Sequence, residues 1–129
     1  MKLCNYRASE EIADVVAILR TIRVKAISTE AEIHEAIGAA LKNRSIRFKH
    51  EYRILTHKQF DFWIGGIVIE VKKEKPGKVV LLNQLNRYTK VPAVKGIIVV
   101  MQESMHLPKD LNGKQIVCLS LNANWGLAF

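Results

Sequence analysis

The sequence predicts one α/β domain over residues 1–129, in which helices flank a mixed β-sheet. A chain of 129 residues is long enough for one hydrophobic core, and 49% apolar with 25% charged residues is typical of a globular domain. Apolar residues recur with helical spacing before position 43 and after position 77. Alternating or continuous apolar runs, typical of strands, fall within residues 47–72 and 96–121. Helices and strands therefore mix along the chain, which indicates an α/β class.

Two helices are predicted before the first strand. Five apolar residues at helical spacing indicate a helix over about residues 9–23, with Ser9 as its possible N-cap. These residues are Ile12, Val15, Val16, Leu19 and Ile22. Thr29 and Glu32 have the spacing of a capping box, and the apolar stripe that follows them ends near Asn43.

A predicted strand begins at Arg47, where the period changes from 3.6 to two. Aromatic and aliphatic residues alternate there with charged ones, as in a half-solvated strand: Phe48, His50, Tyr52 and Ile54. Residues 60–64 and 67–72 predict two further strands, joined at Gly65-Gly66. Because the connections are short, we expect these three strands to form an antiparallel meander.

A third helix is predicted over residues 78–90, and Pro92 follows its end. The strands after it cover residues 96–101 and about 115–121. A helix between the third and fourth strands permits a right-handed crossover, so the fourth strand is expected to run parallel to the third.

Charge indicates a polyanionic partner. Twenty Lys and Arg against twelve Asp and Glu give a formal net charge of +8, and a basic protein without such a partner is the alternative. The longest apolar runs, such as residues 65–69 and 96–101, are far shorter than the roughly 20 residues that span a bilayer. The N-terminus lacks the apolar stretch of a signal peptide, so we expect a cytoplasmic protein with no membrane partner. Cys4 and Cys118 match no metal-ligand spacing and are expected to be free thiols.

The candidate catalytic residues lie on the hairpin at Gly65-Gly66. With these two residues as the turn, Asp61 lies directly across from Glu70, in a non-hydrogen-bonded pair whose Cα atoms approach to about 4.5 Å. Like charges so placed destabilise a sheet unless a cation or a shared proton lies between them, and Lys72 projects from the same face as Glu70. Mg²⁺ takes one or two carboxylates plus substrate phosphate, so this set is typical of a phosphodiester hydrolase. A solvated hairpin face with an ordinary Glu–Lys pair is the alternative.

Residues 60–72, Phe-Asp-Phe-Trp-Ile-Gly-Gly-Ile-Val-Ile-Glu-Val-Lys, resemble the signature of the PD-(D/E)XK, or restriction-endonuclease-like, nucleases. The predicted helix, three strands, helix and strand over about residues 29–101 resemble the common core of that superfamily. The chain is most like its small phage and prokaryotic members, including the VRR-NUC group and the archaeal Holliday junction resolvases. Phe60 stands where the family often has proline.

The resemblance implies a hydrolase that depends on Mg²⁺ or Mn²⁺. Asp61, Glu70 and the backbone carbonyl of Val71 would hold the metal, and Lys72 would act on the nucleophilic water. The substrate would be DNA. We expect an endonuclease that cuts branched or flapped DNA as a homodimer, with the first helix and residues 125–129 as candidate contacts.

The resemblance also implies an acidic residue near the metal on the helix that precedes the strands. Glu30 lies nearest the apolar stripe on a helical wheel and is favoured for this catalytic and metal-binding role, with Glu32 as the alternative. Glu32 also serves the capping box, and either carboxylate could instead only complement the helix dipole. His34 borders the same face and either supports the site or, as we favour, is a surface histidine. Glu51 either pairs with an arginine or supports the site.

The third helix supplies further candidates. Gln84 and Tyr88 share a face and resemble the Gln-xxx-Tyr element of some exonuclease branches, which implies that they orient the lysine or contact phosphate; helix packing is the alternative. Arg87 and Lys73 are candidates for substrate binding. Basic residues that flank the site in sequence could form a phosphate track. They are Lys42, Arg44, Arg47, Lys49, Arg53, Lys73, Lys75, Lys78, Arg87 and Lys90.

Two functions of other classes stay open. One is a non-catalytic nucleic-acid-binding module that keeps the nuclease fold. The other is a subunit of a larger assembly, whose basic surface contacts proteins. Cleavage dependent on Mg²⁺ separates the enzyme from the first, and steep salt dependence of DNA binding argues against the second.

Overall fold

Six strands and three helices make up the described part of the chain. The structure is a computed structural model that describes residues 2–24, 28–54, 59–103 and 105–122, with the side chains of residues 2–9 excepted. The helices are α1 (Lys2–Leu19), α2 (Glu30–Asn43) and α3 (Lys78–Thr89). The strands are β1 (Lys49–Tyr52), β2 (Phe60–Ile64), β3 (Ile67–Lys72), β4 (Gly96–Met101), β5 (Asp110–Leu111) and β6 (Lys114–Ser120). The Cys4 thiol and the candidate contact at residues 125–129 lie outside the described residues.

The strands form one mixed sheet in the order β1-β2-β3-β4-β6-β5. The first three strands are an antiparallel meander, and β4 runs parallel to β3, which confirms the predicted pairing. β6 is also parallel to β4. The sequence did not predict β5, a two-residue strand that forms because Asn112 and Gly113, both with positive φ, turn the chain back onto β6.

Each face of the sheet carries its own apolar core. On one face, which we call the α1/α2 face, buried residues of those two helices pack on alternate residues of β3 and β4, such as Ile69 and Ile98. On the other, the α3 face, Leu81 and Leu85 pack against Val68. Strands covered on both sides are continuous in apolar residues, as β4 is. The sheet is therefore a central layer between helices.

The first helix differs from its predicted bounds of 9–23. It extends over Lys2–Leu19, so Ser9 is an interior position and the prediction of an N-cap there was wrong. No proline or glycine interrupts residues 2–9, which lets the helix begin earlier. It ends earlier because Thr21 turns back, with its backbone N–H and its hydroxyl both bonded to the Ile18 carbonyl. No helix among the described residues is both long and apolar enough to cross a bilayer.

The prediction that alternate residues from Phe48 to Ile54 share one face of the first strand is wrong beyond His50. Phe48 packs on the α1/α2 face, whereas Tyr52 and Ile54 pack on the α3 face. Glu51 lies between them with φ of 54°, a left-handed conformation that interrupts regular strand geometry. The strand therefore turns over at Glu51, which a period-two pattern does not reveal.

The neighbouring strand β2 turns over at the same level. His50 pairs with Phe62 and Tyr52 pairs with Phe60. Phe62 belongs to the core of the α1/α2 face, but Phe60 belongs to the core of the α3 face. Asp61 lies between these two phenylalanines, so it stands where β2 changes sides.

The predicted two-residue turn is confirmed at Gly65-Gly66. Both residues have positive φ, 51° and 105°, and Ile64 pairs with Ile67 across them. The Gly66 carbonyl also accepts a hydrogen bond of 2.7 Å from the backbone N–H of Lys95. The turn is thereby joined to the loop that precedes β4.

Alanine substitutions in this turn should differ in cost. A Cβ at Gly66 would lie 2.8 Å from the Ala93 carbonyl oxygen, whereas one at Gly65 meets nothing within 4 Å. We expect Gly66→Ala to lower the free energy of unfolding by about 3 kcal/mol, because backbone strain and a steric clash add. Gly65→Ala, the control, should cost about 1 kcal/mol. Urea unfolding of both variants measures this, and equal losses would contradict the turn geometry.

Candidate functional site

Asp61 interrupts the pairing of β2 with β3. The ladder runs from Ile64–Ile67 to Phe62–Ile69 and is not continued by an Asp61–Glu70 pair. Instead, the Asp61 Oδ2 atom accepts a hydrogen bond of 2.7 Å from the backbone N–H of Val71. The Asp61 side chain accepts the bond that a backbone carbonyl of β2 would accept in a continued ladder. The pairing of the two strands therefore ends beside the predicted site.

The predicted directly opposed Asp61–Glu70 pair does not form, because the ladder ends at Phe62–Ile69. The two carboxylates nevertheless lie close enough to repel each other. Glu70 projects on the α3 face with only 5% of its side chain exposed, and the Lys72 Nζ atom lies 3.5 Å from its Oε2 atom. The predicted Asp61, Glu70 and Lys72 are therefore brought together. They form one acidic pair with one ammonium beside it.

Three donors surround a single oxygen of Glu70. The Oε2 atom accepts hydrogen bonds of 2.9 Å from Gln84 Nε2 and 3.2 Å from the Tyr88 hydroxyl, in addition to its ion pair with Lys72. Gln84 Nε2 also donates to the Tyr88 oxygen at 2.9 Å. The polar edge of α3 thus holds Glu70. The roles that the resemblance implied for Gln84 and Tyr88, orienting Lys72 or contacting phosphate, stay predictions.

The second oxygen of Glu70 has no such contacts. Its Oε1 atom is buried and has no hydrogen-bond partner within the described part of the chain. Asp61 is its acidic neighbour, and two ionised carboxylates cannot donate to each other. A divalent cation or a proton would satisfy this oxygen, so the donor set fits a hard metal ion.

The protonation of this cluster follows from burial. Burial first, and then the charge of Asp61, raise the pKa of Glu70 from 4.5 to about 7, although the ammonium of Lys72 opposes them. Burial and the nearby charge of Glu70 raise the pKa of Tyr88 far above its ordinary value. The Tyr88 phenol therefore stays protonated and donates to Glu70.

Helix α2 approaches Asp61 from the other face. The His34 Nε2 atom lies 3.8 Å from Glu30 Oε1 and 4.0 Å from Asp61 Oδ1. Only 13% of the His34 side chain is exposed, so the favoured prediction of a surface histidine was wrong. The Glu32 carboxylate accepts from the Thr29 backbone N–H at 2.8 Å and completes the predicted capping box, whereas Glu30 is the helix carboxylate that joins Asp61.

The remaining candidates differ in their contacts with the residues around Asp61 and Glu70. Arg87 is exposed and Lys73 is half-buried, and neither joins the described hydrogen bonds around Glu70. Glu51 is exposed and its described ionic partner is His50, at 3.9 Å, rather than an arginine. The contact found for Val71 is its N–H to Asp61, and a role for its carbonyl stays a prediction.

The sequence analysis missed His50 as a site residue. Its Nε2 atom lies 2.8 Å from His34 Nδ1, and its ring stacks on Phe62 with centroids 4.7 Å apart. The two histidines are sixteen positions apart, so no local spacing joins them. The missing information was the packing of α2 against β1, which alone brings His34 to His50.

A groove of about 1580 Å³ opens at Asp61, whereas Glu70 and Lys72 are not among its lining residues. Its walls are residues of α2, β1 and β2, and they include Glu30, His34 and Asp61. Three of the predicted basic residues also line it, namely Lys42, Arg47 and Lys49. Acidic and basic side chains therefore share one concave surface.

Comparisons of the chain with protein-family models, with curated proteins and with solved structures found no match. We therefore infer the chemistry of the site from its residues alone. Two neighbouring carboxylates, an ammonium and a groove with three cations suit a metal-assisted reaction on an anionic substrate.

Metal-free protein should lose stability as the pH rises past the Glu70 pKa. Because folding raises this pKa from 4.5 to about 7, the folded state binds the proton more tightly. The resulting stabilisation is complete below about pH 4.5 and lost above about pH 7, by up to about 3 kcal/mol. Urea unfolding in EDTA between pH 5 and 8 measures this loss.

The control for this prediction is Glu70→Gln, which removes the titrating group but keeps the side-chain length. Its stability should change less over the same pH range. Identical pH profiles for the variant and the parent protein would contradict the assignment.

Proposed function

We propose that this protein is a nuclease of the PD-(D/E)XK class, dependent on Mg²⁺ or Mn²⁺, that hydrolyses phosphodiester bonds in DNA. The observation that carries the proposal is the Asp61–Glu70–Lys72 cluster, in which Glu70 Oε1 is buried without a partner beside Asp61. The proposal includes a restriction-endonuclease-like core over about residues 29–101. The order helix, three strands, helix and strand, with a parallel fourth strand, supports it.

Each residue of the site would have a separate role. Asp61 and Glu70 would hold the cation, with Glu30 and the Val71 carbonyl as further ligands. A divalent cation supplies Lewis-acid polarisation of the phosphate and makes water more acidic. Lys72, with 26% of its side chain exposed, lines a smaller pocket together with Lys73 and Lys75 and is not among the residues that line the groove. Its ammonium would orient the attacking water and neutralise charge that develops on the phosphate.

Helix α3 would act on the metal ligand instead of on the substrate. Gln84 and Tyr88 fix Glu70 Oε2, which leaves Oε1 free beside Asp61. Tyr88 is only 4% exposed and offers almost no surface to DNA. We therefore propose that both residues position Glu70, as outer partners of metal ligands commonly do.

The charge and the groove support a nucleic-acid substrate. The net charge is +8, and Lys42, Arg47 and Lys49 line the same groove as Asp61. Such cations bind phosphates without reading bases, which suits recognition of DNA by shape. We propose an endonuclease for branched or flapped DNA, located in the cytoplasm.

A homodimer remains part of the proposal, because two strands are to be cut by a small domain. Helix α1 is one candidate contact, and residues 125–129, outside the described residues, are another. Val79 and Val80 add a third, since they are 71% and 69% exposed on the first turn of α3. Exposed apolar neighbours of this kind favour association.

Cleavage assays on single substitutions test the proposed function. Asp61→Ala and Lys72→Ala should each reduce Mg²⁺-dependent cleavage at least about 100-fold, because each removes a group that acts on the reacting phosphate. Duplex, flap, four-way-junction and single-stranded DNA provide the substrate panel. Unchanged circular dichroism and largely retained DNA binding should show that the fold and the groove persist in Lys72→Ala. Asp61→Ala also loses the acceptor for the Val71 N–H, so Asp61→Asn, which keeps an acceptor, should lose cleavage with the fold unchanged.

Matched controls are available at the opposite edge of the sheet. Asp110 and Lys109 are exposed there, so Asp110→Ala and Lys109→Ala should cleave like the parent protein. Full activity in Lys72→Ala would remove the proposed mechanism. Salt-sensitive DNA binding without cleavage of any substrate would favour the non-catalytic module, and binding insensitive to salt would favour the assembly subunit.

Tyr88→Phe tests the positioning of Glu70. Removing the hydroxyl takes one donor from Oε2, so we expect cleavage or Mg²⁺ affinity to fall about 10-fold while Lys72 is untouched. Tyr52→Phe is the control, since Tyr52 lies on β1 and has no described contact with Glu70. A Tyr88→Phe protein with unchanged Mg²⁺ dependence would contradict this role.

A further inference from the structure

His34 presents an unsatisfied nitrogen to the acidic cluster. Its Nε2 atom is buried and has no hydrogen-bond partner among the residues that the structure describes. The nearest acidic atoms are Glu30 Oε1 at 3.8 Å and Asp61 Oδ1 at 4.0 Å, too distant for hydrogen bonds. Burying such a nitrogen without a partner is unfavourable, which points to a ligand that the three atoms share.

The spacing of the three atoms suits a cation. Glu30 and His34 are four residues apart on α2 and so share one face, and Asp61 lies opposite them on β2. One ligand atom from each of the three residues lies within 4.8 Å of the others. Ligand atoms on one octahedral ion at about 2.1 Å are separated by about 3 to 4.2 Å, so small side-chain movements would complete the site.

The tautomer of His34 is linked to that of His50. The two rings are joined between His34 Nδ1 and His50 Nε2 at 2.8 Å, so one nitrogen donates and the other accepts. When His34 Nδ1 donates, its Nε2 carries a lone pair directed towards two carboxylates. This is the arrangement of a metal-bound histidine whose other nitrogen is held by an outer partner.

A second unsatisfied atom belongs to Glu70, the other carboxylate on which the charge of Asp61 acts. The side chain of Glu70 is only 5% exposed, and its Oε1 atom has no hydrogen-bond partner among the described residues. Asp61 Oδ2 is bonded to the Val71 N–H, whereas its Oδ1 is the atom nearest His34. Two unsatisfied atoms, one oxygen and one nitrogen, thus flank the same aspartate.

We infer that Glu30, His34 and Asp61 form a second divalent-cation site, which shares Asp61 with the Asp61–Glu70 site and prefers Mn²⁺ to Mg²⁺. In this assignment Glu30 serves the second cation, and Asp61, Glu70 and the Val71 carbonyl hold the first. The preference follows from the imidazole ligand, because Mg²⁺ takes oxygen ligands almost exclusively while transition metals accept nitrogen. The inference rests on the proposed function in treating the Asp61–Glu70 pair as the first cation site.

The test is pulsed electron paramagnetic resonance of the metal-stripped full chain titrated with Mn²⁺. The parent protein should bind two Mn²⁺ ions, one of them with the ¹⁴N coupling of a coordinated imidazole. His34→Gln, which keeps a side chain of similar size, should lose that coupling and weaken one Mn²⁺ site at least about tenfold. Its Mg²⁺ affinity should stay the same. His106→Gln, at an exposed histidine outside the groove, should behave like the parent protein.

Glu70→Gln separates the two proposals, because it alters only the first site. That variant should keep the ¹⁴N coupling. Absence of ¹⁴N coupling in a parent protein that still cleaves DNA would overturn the second site alone. Coupling that depends on His34 in a protein that cleaves nothing would support the second site and remove the proposed nuclease function.

Discussion

The site depends on the hydrogen bond between the Asp61 carboxylate and the backbone N–H of Val71. This bond replaces strand pairing beyond Phe62–Ile69, so β2 and β3 separate where both carry a carboxylate. Left-handed backbone at Glu51 turns β1 over at the same level, and Asp61 then reaches neighbours from both faces of the sheet. The charge of Asp61 thereby acts on Glu70, whose side chain is only 5% exposed.

The two carboxylate oxygens of Glu70 have different surroundings. Gln84, Tyr88 and Lys72 satisfy one carboxylate oxygen, and the other lies buried beside Asp61. Burial without full compensation raises the pKa of Glu70, which is typical of groups kept for chemistry. A cation that bound both carboxylates would relieve the repulsion between them and so stabilise the folded state.

The site also couples the two helical layers of the fold. Helix α3 fixes Glu70 from one face, and helix α2 brings Glu30 and His34 towards Asp61 from the other. The sheet between them is rigid because β3 and β4 are covered on both sides. Candidate ligands that come from three elements are therefore held by packing that none of those elements supplies alone.

The sequence by itself determined the mixed α/β sheet, the Gly65-Gly66 turn and the approach of Asp61, Glu70 and Lys72, because the period of strands and the geometry of a two-residue turn are local. Helix spacing likewise placed Gln84 beside Tyr88. Only the tertiary structure decided that α3 holds Glu70, that β1 and β2 turn over, and that His34 meets His50 and Asp61. These contacts join distant parts of the chain. The left-handed residue at which β1 turns over, Glu51, is a glutamate in a pattern that otherwise favours regular strand.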